Sequence, residues 1–216
     1  MIFRPHGSTR VAITQPDHAA LAGRIMAAWR ADGLPTHKRR DEILLAVSEH
    51  DNGWREIDRE FRAHPEAFAM VDFMTTTDDI KRAVWPRAIE RLSATPYAGA
   101  LVAHHAAHVY SRYREKPEWA AFFPEMEAMR DRLASRDEVL SDYLFLRIGD
   151  LASLSFCTAS NIQVGEFGYL VRLENDQLII TPDPFEGAEV SLQIEGRDFN
   201  DPEQIVTITG VARGAA

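Results

Sequence analysis

DEVLSDYLFLRIGDLASLSFC, residues 137–157, is the most apolar of the helically spaced segments in this chain, and the character of the sequence changes where it ends. Tyr143, Leu146, Asp150 and Leu154 recur at helical spacing, so the stretch reads as one long helix with a carboxylate set into its apolar face. From Gln163 to Val211 the signals are Gly, Pro, Asn-Asp and short β-rich runs. Tyr169–Leu173, the pair Asn175-Asp176 and Gln177–Ile180 read as a β-hairpin, and Val190–Ile194 and Ile205–Ile208 as further strands. The expected fold is mainly α, a helical bundle over residues 1–160 with a small antiparallel β appendage over 161–216, α+β overall.

Upstream of the long helix the periodicity is helical almost throughout. Residues 1–15 are the exception, an extended arm in which Val11 and Ile13 alternate with polar neighbours and which could pair with the C-terminal strands. Pro16 and Asp17 suit a helix start, followed by Leu21, Ile25 and Trp29, until Gly33-Leu34-Pro35 breaks the pattern. A second helix spans Arg39 to Asp51 and ends at Asn52-Gly53. Residues 54–77 read as a loop or a short broken helix. Thr77 with Asp78-Asp79 then reads as an N-cap for a helix to Ser93, bent near Pro86. Tyr97–Arg114 and Pro117–Ser135 complete the set.

Composition narrows the function classes. The 216 residues are 45% hydrophobic and 26% charged, ordinary for a globular protein. A formal net charge of -9 disfavours binding to a nucleic-acid polymer. The single cysteine, Cys157, reads as a small buried thiol and fits a reducing compartment. MIFRPHGSTR has no apolar core of a signal peptide, and no apolar stretch reaches membrane-spanning length, so the expectation is a cytoplasmic protein without membrane contact.

The chemistry lies in where the histidines fall. His6, His37 and His64 sit in arms, in loops or before a proline, and read as solvated. His18, in the first turn of its helix, shares a face with Leu21 and Ile25. His50 continues the stripe of Ile43 and Val47, and Asp51 that of Leu44 and Val47. In Tyr97–Arg114, His105 falls within the stripe of Ala98, Leu101, Val102 and Val109, with His108 near its edge and His104 on the flank. A buried histidine alone is more often a hydrogen-bonded core residue than a ligand. A His and an Asp turned inward together need a strong partner, because an unpaired buried carboxylate is costly, and a divalent metal satisfies both. Arg147, three residues before Asp150, is the competing partner for that carboxylate.

A His on one helix, an adjacent His-Asp at the end of the next and an Asp on a late helix resemble the ligand pattern of the HD superfamily, mostly metal-dependent phosphohydrolases of helical fold. The chain also resembles a narrower family of bacterial proteins of unknown function. That likeness lies in Gln15-Pro16-Asp17-His18, Glu49-His50-Asp51-Asn52-Gly53-Trp54, Val71-Asp72-Phe73, His105 with Tyr110, Gly149-Asp150-Leu151-Ala152-Ser153-Leu154, Pro184-Phe185 and Gly196-Arg197. The superfamily resemblance implies His18, His50, Asp51 and Asp150 as metal ligands and His105 as an additional one, holding one or two divalent ions among Fe, Mn, Zn, Co and Ni. It also implies catalytic roles for His50 and Asp51. Many such enzymes carry a lysine shortly after the His-Asp pair; Trp54 stands in that region here, and Arg55, Arg59, Lys38, Arg82 and Arg87 are the alternative sources of charge. Trp54, Asp72, His108 and Asp58 are the candidates for supporting the ligands or walling a pocket. Against this, Asp58 fits a solvated surface, Asp72 a loop cap and His108 polar packing.

The expected function is a metal-dependent hydrolase, acting through activated water on a phosphoester of a small molecule or nucleotide, with a homodimer as the expected form of any assembly. The alternatives are a di-iron oxygenase of the HD type and a non-enzymatic metal- or ligand-binding protein.

Overall fold

The computed structural model describes residues 1–63, 72–160 and 163–216. It corrects the expected fold: in place of a helical bundle with a small antiparallel appendage, about half of the chain is helical and 22% is strand in a mixed, curled half-barrel sheet. Strands β1 (Ile2–His6), β2 (Thr9–Ile13), β3 (Val164–Glu166), β4 (Tyr169–Glu174), β5 (Gln177–Thr181), β6 (Glu189–Asp198) and β7 (Ile205–Gly214) form one seven-stranded sheet in the order β1-β2-β6-β7-β5-β4-β3. Every neighbouring pair is antiparallel except β5 and β7, which run parallel.

Two physical causes hid the extent of this sheet. The N-terminal arm is two strands, turned at Gly7 with φ +57, and β2 pairs with β6, so both ends of the chain build one sheet. The arm's expected pairing with the C-terminal strands is thus present. The second cause is that β6 and β7 are ten residues each and bury one side only. Leu192, Ile194, Gly196 and Asp198 face inward between exposed Ser191, Gln193 and Glu195, and half of that inner row is not apolar. The hairpin β4–β5 is as read from sequence, with Asn175 and Asp176 both at positive φ, as a two-residue turn between right-twisted strands requires.

The helices are α1 (Gln15–Ala27), α2 (Arg40–Glu49), α3 (Arg55–Ala63), α4 (Asp78–Arg91), α5 (Pro96–Val109), α6 (Phe122–Leu133) and α7 (Arg136–Thr158). Pro16 and Asp17 lie in the first turn of α1 as expected, and Thr14 caps it, accepting from the Asp17 amide at 3.1 Å; Thr77 caps α4 as expected. α1 packs on α2 and α7, and α5 on α2, α4, α6 and α7. α7 also reaches β1, β4 and β5, and α1 reaches β6. One continuous apolar core therefore runs from the helices into the sheet, from Leu101 and Phe145 to Val171 and Ile180. Among the described residues no helix is long and apolar enough to cross a membrane.

Candidate metal centre

Four helices and one turn converge on a single buried point. α1 supplies His18 from its first turn. α2 ends at His50, and Asp51 opens the tight turn Asn52–Trp54. α5 supplies His105, and the middle of α7 supplies Asp150. All five are buried. Two glycines allow the approach. A Cβ at Gly149 would stand 2.8 Å from Met26 Cγ and 2.9 Å from Val47 Cγ1, so α7 meets α1 and α2 one residue before Asp150. A Cβ at Gly53 would collide with the Val84 carbonyl, so α4 lies directly against the turn that follows Asp51.

Each imidazole is held by its Nδ1. His50 Nδ1 is 2.7 Å from the Val47 carbonyl oxygen, one of the carbonyls that the end of α2 leaves without a helical donor. A carbonyl only accepts, so Nδ1 carries the proton. Ser153 Oγ donates its proton to the His18 carbonyl at 2.7 Å, which leaves the Ser153 Oγ lone pairs to accept from His18 Nδ1 at 2.8 Å. His105 Nδ1 lies 2.9 Å from the Tyr143 hydroxyl. The Nε2 atoms therefore turn to the carboxylates. His18 Nε2 is 3.2 Å from Asp150 Oδ1 and 3.8 Å from Asp51 Oδ2. His50 Nε2 is 3.6 Å and 3.5 Å from the same two atoms and makes no hydrogen bond. His105 Nε2 is 3.8 Å from Asp150 Oδ2. The rings of His18 and His105 stand edge-on to His50, each with its centroid 5.2 Å away.

The electrostatics of this cluster are those of a site short of positive charge. Burial pushes the Asp51 carboxyl up, against the pull of His50 and His18. Burial would lower His50, but Asp51 and Asp150 raise it to about 9. Burial dominates at His105 and holds it well below its ordinary value. Asp150 is raised by burial, yet its contacts with His18 and His50 more than reverse this and hold it well below the usual range. The expected competitor is also present: Arg147 Nη1 donates to Asp150 Oδ2 at 2.9 Å. Its Nε donates to Glu166 Oε2 at 2.7 Å, so β3 fixes the guanidinium and Asp150 keeps Oδ1 for His18 and His50.

Two overlapping donor groups could hold a metal ion: His18, His50 and Asp51, and His50, His105 and Asp150. The donor set fits. Two atoms about 2.1 Å from a common ion lie between about 3.0 Å and about 4.2 Å apart, according to whether they are adjacent or opposite, and the separations above fall in that interval. The tethering of each imidazole through its second nitrogen is the usual support of a metal-ligating histidine.

The supporting candidates separate. Trp54 is buried and walls the cavity beside the cluster. His108 does not reach the cluster; its Nε2 lies 2.9 Å from Glu166 Oε1. Asp58 is buried rather than solvated, its carboxylate 3.0 Å from the Met1 amine and 2.7 Å from the Gln15 amide. It thus fixes the start of α1. Asp72 caps its own turn, accepting from the Met74 amide at 2.7 Å. His37 is partly buried and its Nε2 is 3.3 Å from Asp142 Oδ1, which corrects its reading as solvated. His64 and Val71 lie outside the described residues.

The cavity measures about 160 Å³ and opens on His18, Asp51, His105 and Asp150. Its walls include Trp54, Trp85, Tyr110 and Phe73, and the cations along it are Lys81, Arg112 and Arg147. Trp54 thus takes a wall position, while an ammonium enters from α4. Lys81 and Trp85 were legible in principle: Lys81, Val84, Trp85 and Ala88 are the buried row of α4, and a lysine within such a row is a signal.

In comparisons with known proteins, no curated protein and no solved structure matches the chain. A family model described as "Protein of unknown function (DUF3891)" matches residues 1–201, which hold every residue of the candidate centre and all strands but β7, and the chain belongs to that family.

Proposed function

We propose that the cluster holds one divalent transition-metal ion and that the protein is a metal-dependent hydrolase of a small phosphoester. The observation that carries this reading is the set of imidazole Nε2 atoms turned to two buried carboxylates while each Nδ1 is tied elsewhere. The order His18, His50-Asp51, Asp150 along the chain adds support, since it is similar to the ligand order of HD phosphohydrolases. When bound, such an ion lowers the pKa of water and polarises a phosphoryl oxygen.

The chain's own residues do the rest. His18, His50 and His105 offer neutral nitrogen donors, oriented by Ser153, the Val47 carbonyl and Tyr143. Asp51 and Asp150 balance the charge. Arg147 holds Asp150 Oδ2. Trp54, Trp85 and Tyr110 give the cavity aromatic walls. A single ion is favoured because both donor groups need His50, which has one free nitrogen. The di-iron alternative needs a second set of donors and draws less support.

Turnover of a panel of small phosphomonoesters and phosphodiesters, with Mn²⁺, Co²⁺ or Zn²⁺ restored to chelated protein, tests the reading. Metal-dependent release of phosphate or alcohol that disappears in Asp51→Asn is expected. A fully loaded protein that turns over none of the panel contradicts the hydrolase reading and returns the non-enzymatic one.

A further inference from the structure

Lys81 is a buried cation whose partners among the described residues do not account for it. Its side chain is 6% exposed. Nζ donates to the Met74 carbonyl at 2.9 Å, and the Asp78 carboxylate is 3.9 Å away, beyond a hydrogen bond. Asp78 is itself engaged on its other oxygen, by Trp119 Nε1 at 3.0 Å and Lys116 Nζ at 3.7 Å. An ammonium has three donors, and here one of them meets a protein acceptor at hydrogen-bond distance. Arg147, in the same cavity, is matched by Asp150 and Glu166, and Arg112 is exposed at the rim. Burial of an ammonium is costly unless it is paired. The cavity that Lys81 lines is the one that opens on Asp51 and Asp150.

We propose that Lys81 binds a compact oxyanion on the open side of the candidate metal centre. On the hydrolase reading, upon which this rests, that oxyanion is the phosphoryl group of the substrate. The cavity also limits the substrate's size. At about 160 Å³ it is well below the roughly 300–1,000 Å³ of pockets for drug-sized ligands, and close to the roughly 150 Å³ that accommodates a benzene ring. The substrate is therefore a compact phosphoester with a short apolar body packed on Trp54, Trp85 and Tyr110, and a whole nucleotide is too large to be enclosed.

Inorganic phosphate titrated calorimetrically into Mn²⁺-loaded protein tests this, with acetate in parallel. Wild type is expected to bind phosphate more tightly than acetate. Lys81→Met is expected to bind phosphate about 10- to 100-fold more weakly, and Lys81→Arg to recover part of the loss, with metal content equal in all three. Lys81→Gln carries the same expectation as Lys81→Met should the methionine variant not fold. Unchanged phosphate affinity in the neutral variants, preference for acetate, or no phosphate binding by wild type that carries its metal overturns the assignment and leaves the metal centre standing. Wild type that takes up no metal overturns the metal-centre reading itself, and this inference with it.

Discussion

The Nδ1 of His50 lies 2.7 Å from the carbonyl oxygen of Val47, three residues earlier in the same helix. The bond fixes the ring and aims its Nε2 at Asp51 and Asp150. Replacing His50 by Ala removes the nitrogen common to both donor groups. His50→Ala is expected to lose stoichiometric metal while keeping its helical circular dichroism. Metal retention at the wild-type level would remove His50 from the centre.

Ser153 supports the site without offering a ligand atom of its own. Its hydroxyl sits between the carbonyl and the Nδ1 of His18. Supporting hydrogen bonds of this kind are worth about 10- to 100-fold in metal affinity. Ser153→Ala is expected to weaken metal binding by that factor, measured by chelator competition, with His18 still present. An unchanged affinity would show that packing alone orients the ring.

Low pH should empty the centre. Imidazoles ligate only when neutral, and Asp51 and Asp150 raise His50 to about 9 in the metal-free site, so protons compete with the ion there. Metal retention is expected to fall as pH drops from about 9 to about 5. Equilibrium dialysis across that range checks it, and uptake that is flat with pH would argue for a site made of carboxylates alone.

Arg147 and the ion neutralise the same carboxylate. Asp150 is buried and Arg147 is its hydrogen-bonded cation, so Arg147→Ala is expected to destabilise the metal-free protein by about 3 kcal/mol. The loss should be smaller once metal is restored, because the ion supplies the missing charge. Thermal melts of both forms make the comparison; equal losses would show that Arg147 acts through Glu166 and the sheet instead.

Gly53 lets α4 lie against the turn after Asp51, where a Cβ would meet the Val84 carbonyl. Backbone, unlike a side-chain tip, cannot yield cheaply. Gly53→Ala is expected to cost about 1–3 kcal/mol and to weaken phosphate binding along with stability, since Lys81 and Trp85 ride on the displaced helix. Denaturant unfolding measures the first effect and calorimetry the second.

The centre was more legible in the sequence than the fold around it. His18, His50, Asp51, His105 and Asp150 each continue an apolar stripe of a helix, and a polar residue repeated at helical spacing on an inward face is visible without coordinates. The extent of the sheet was hidden: Val190–Ile194 and Ile205–Ile208 read as short strands, whereas β6 and β7 run on for ten residues each, through exposed Glu and Thr and an inner row that includes Gly196 and Asp198. The turn at Gly7 made two strands look like one arm. Lys81 was overlooked because a lysine in a helix is read as solvent-facing by default, although its spacing from Val84, Trp85 and Ala88 placed it inward.

The most direct test is the metal content of protein purified without added metal and of chelated protein reloaded with a single ion type, counted per chain by elemental analysis. One ion per chain, lost together from His50→Ala and Asp51→Ala, is the predicted result. No ion in the wild type, two ions per chain, or an ion retained by both variants would contradict the account.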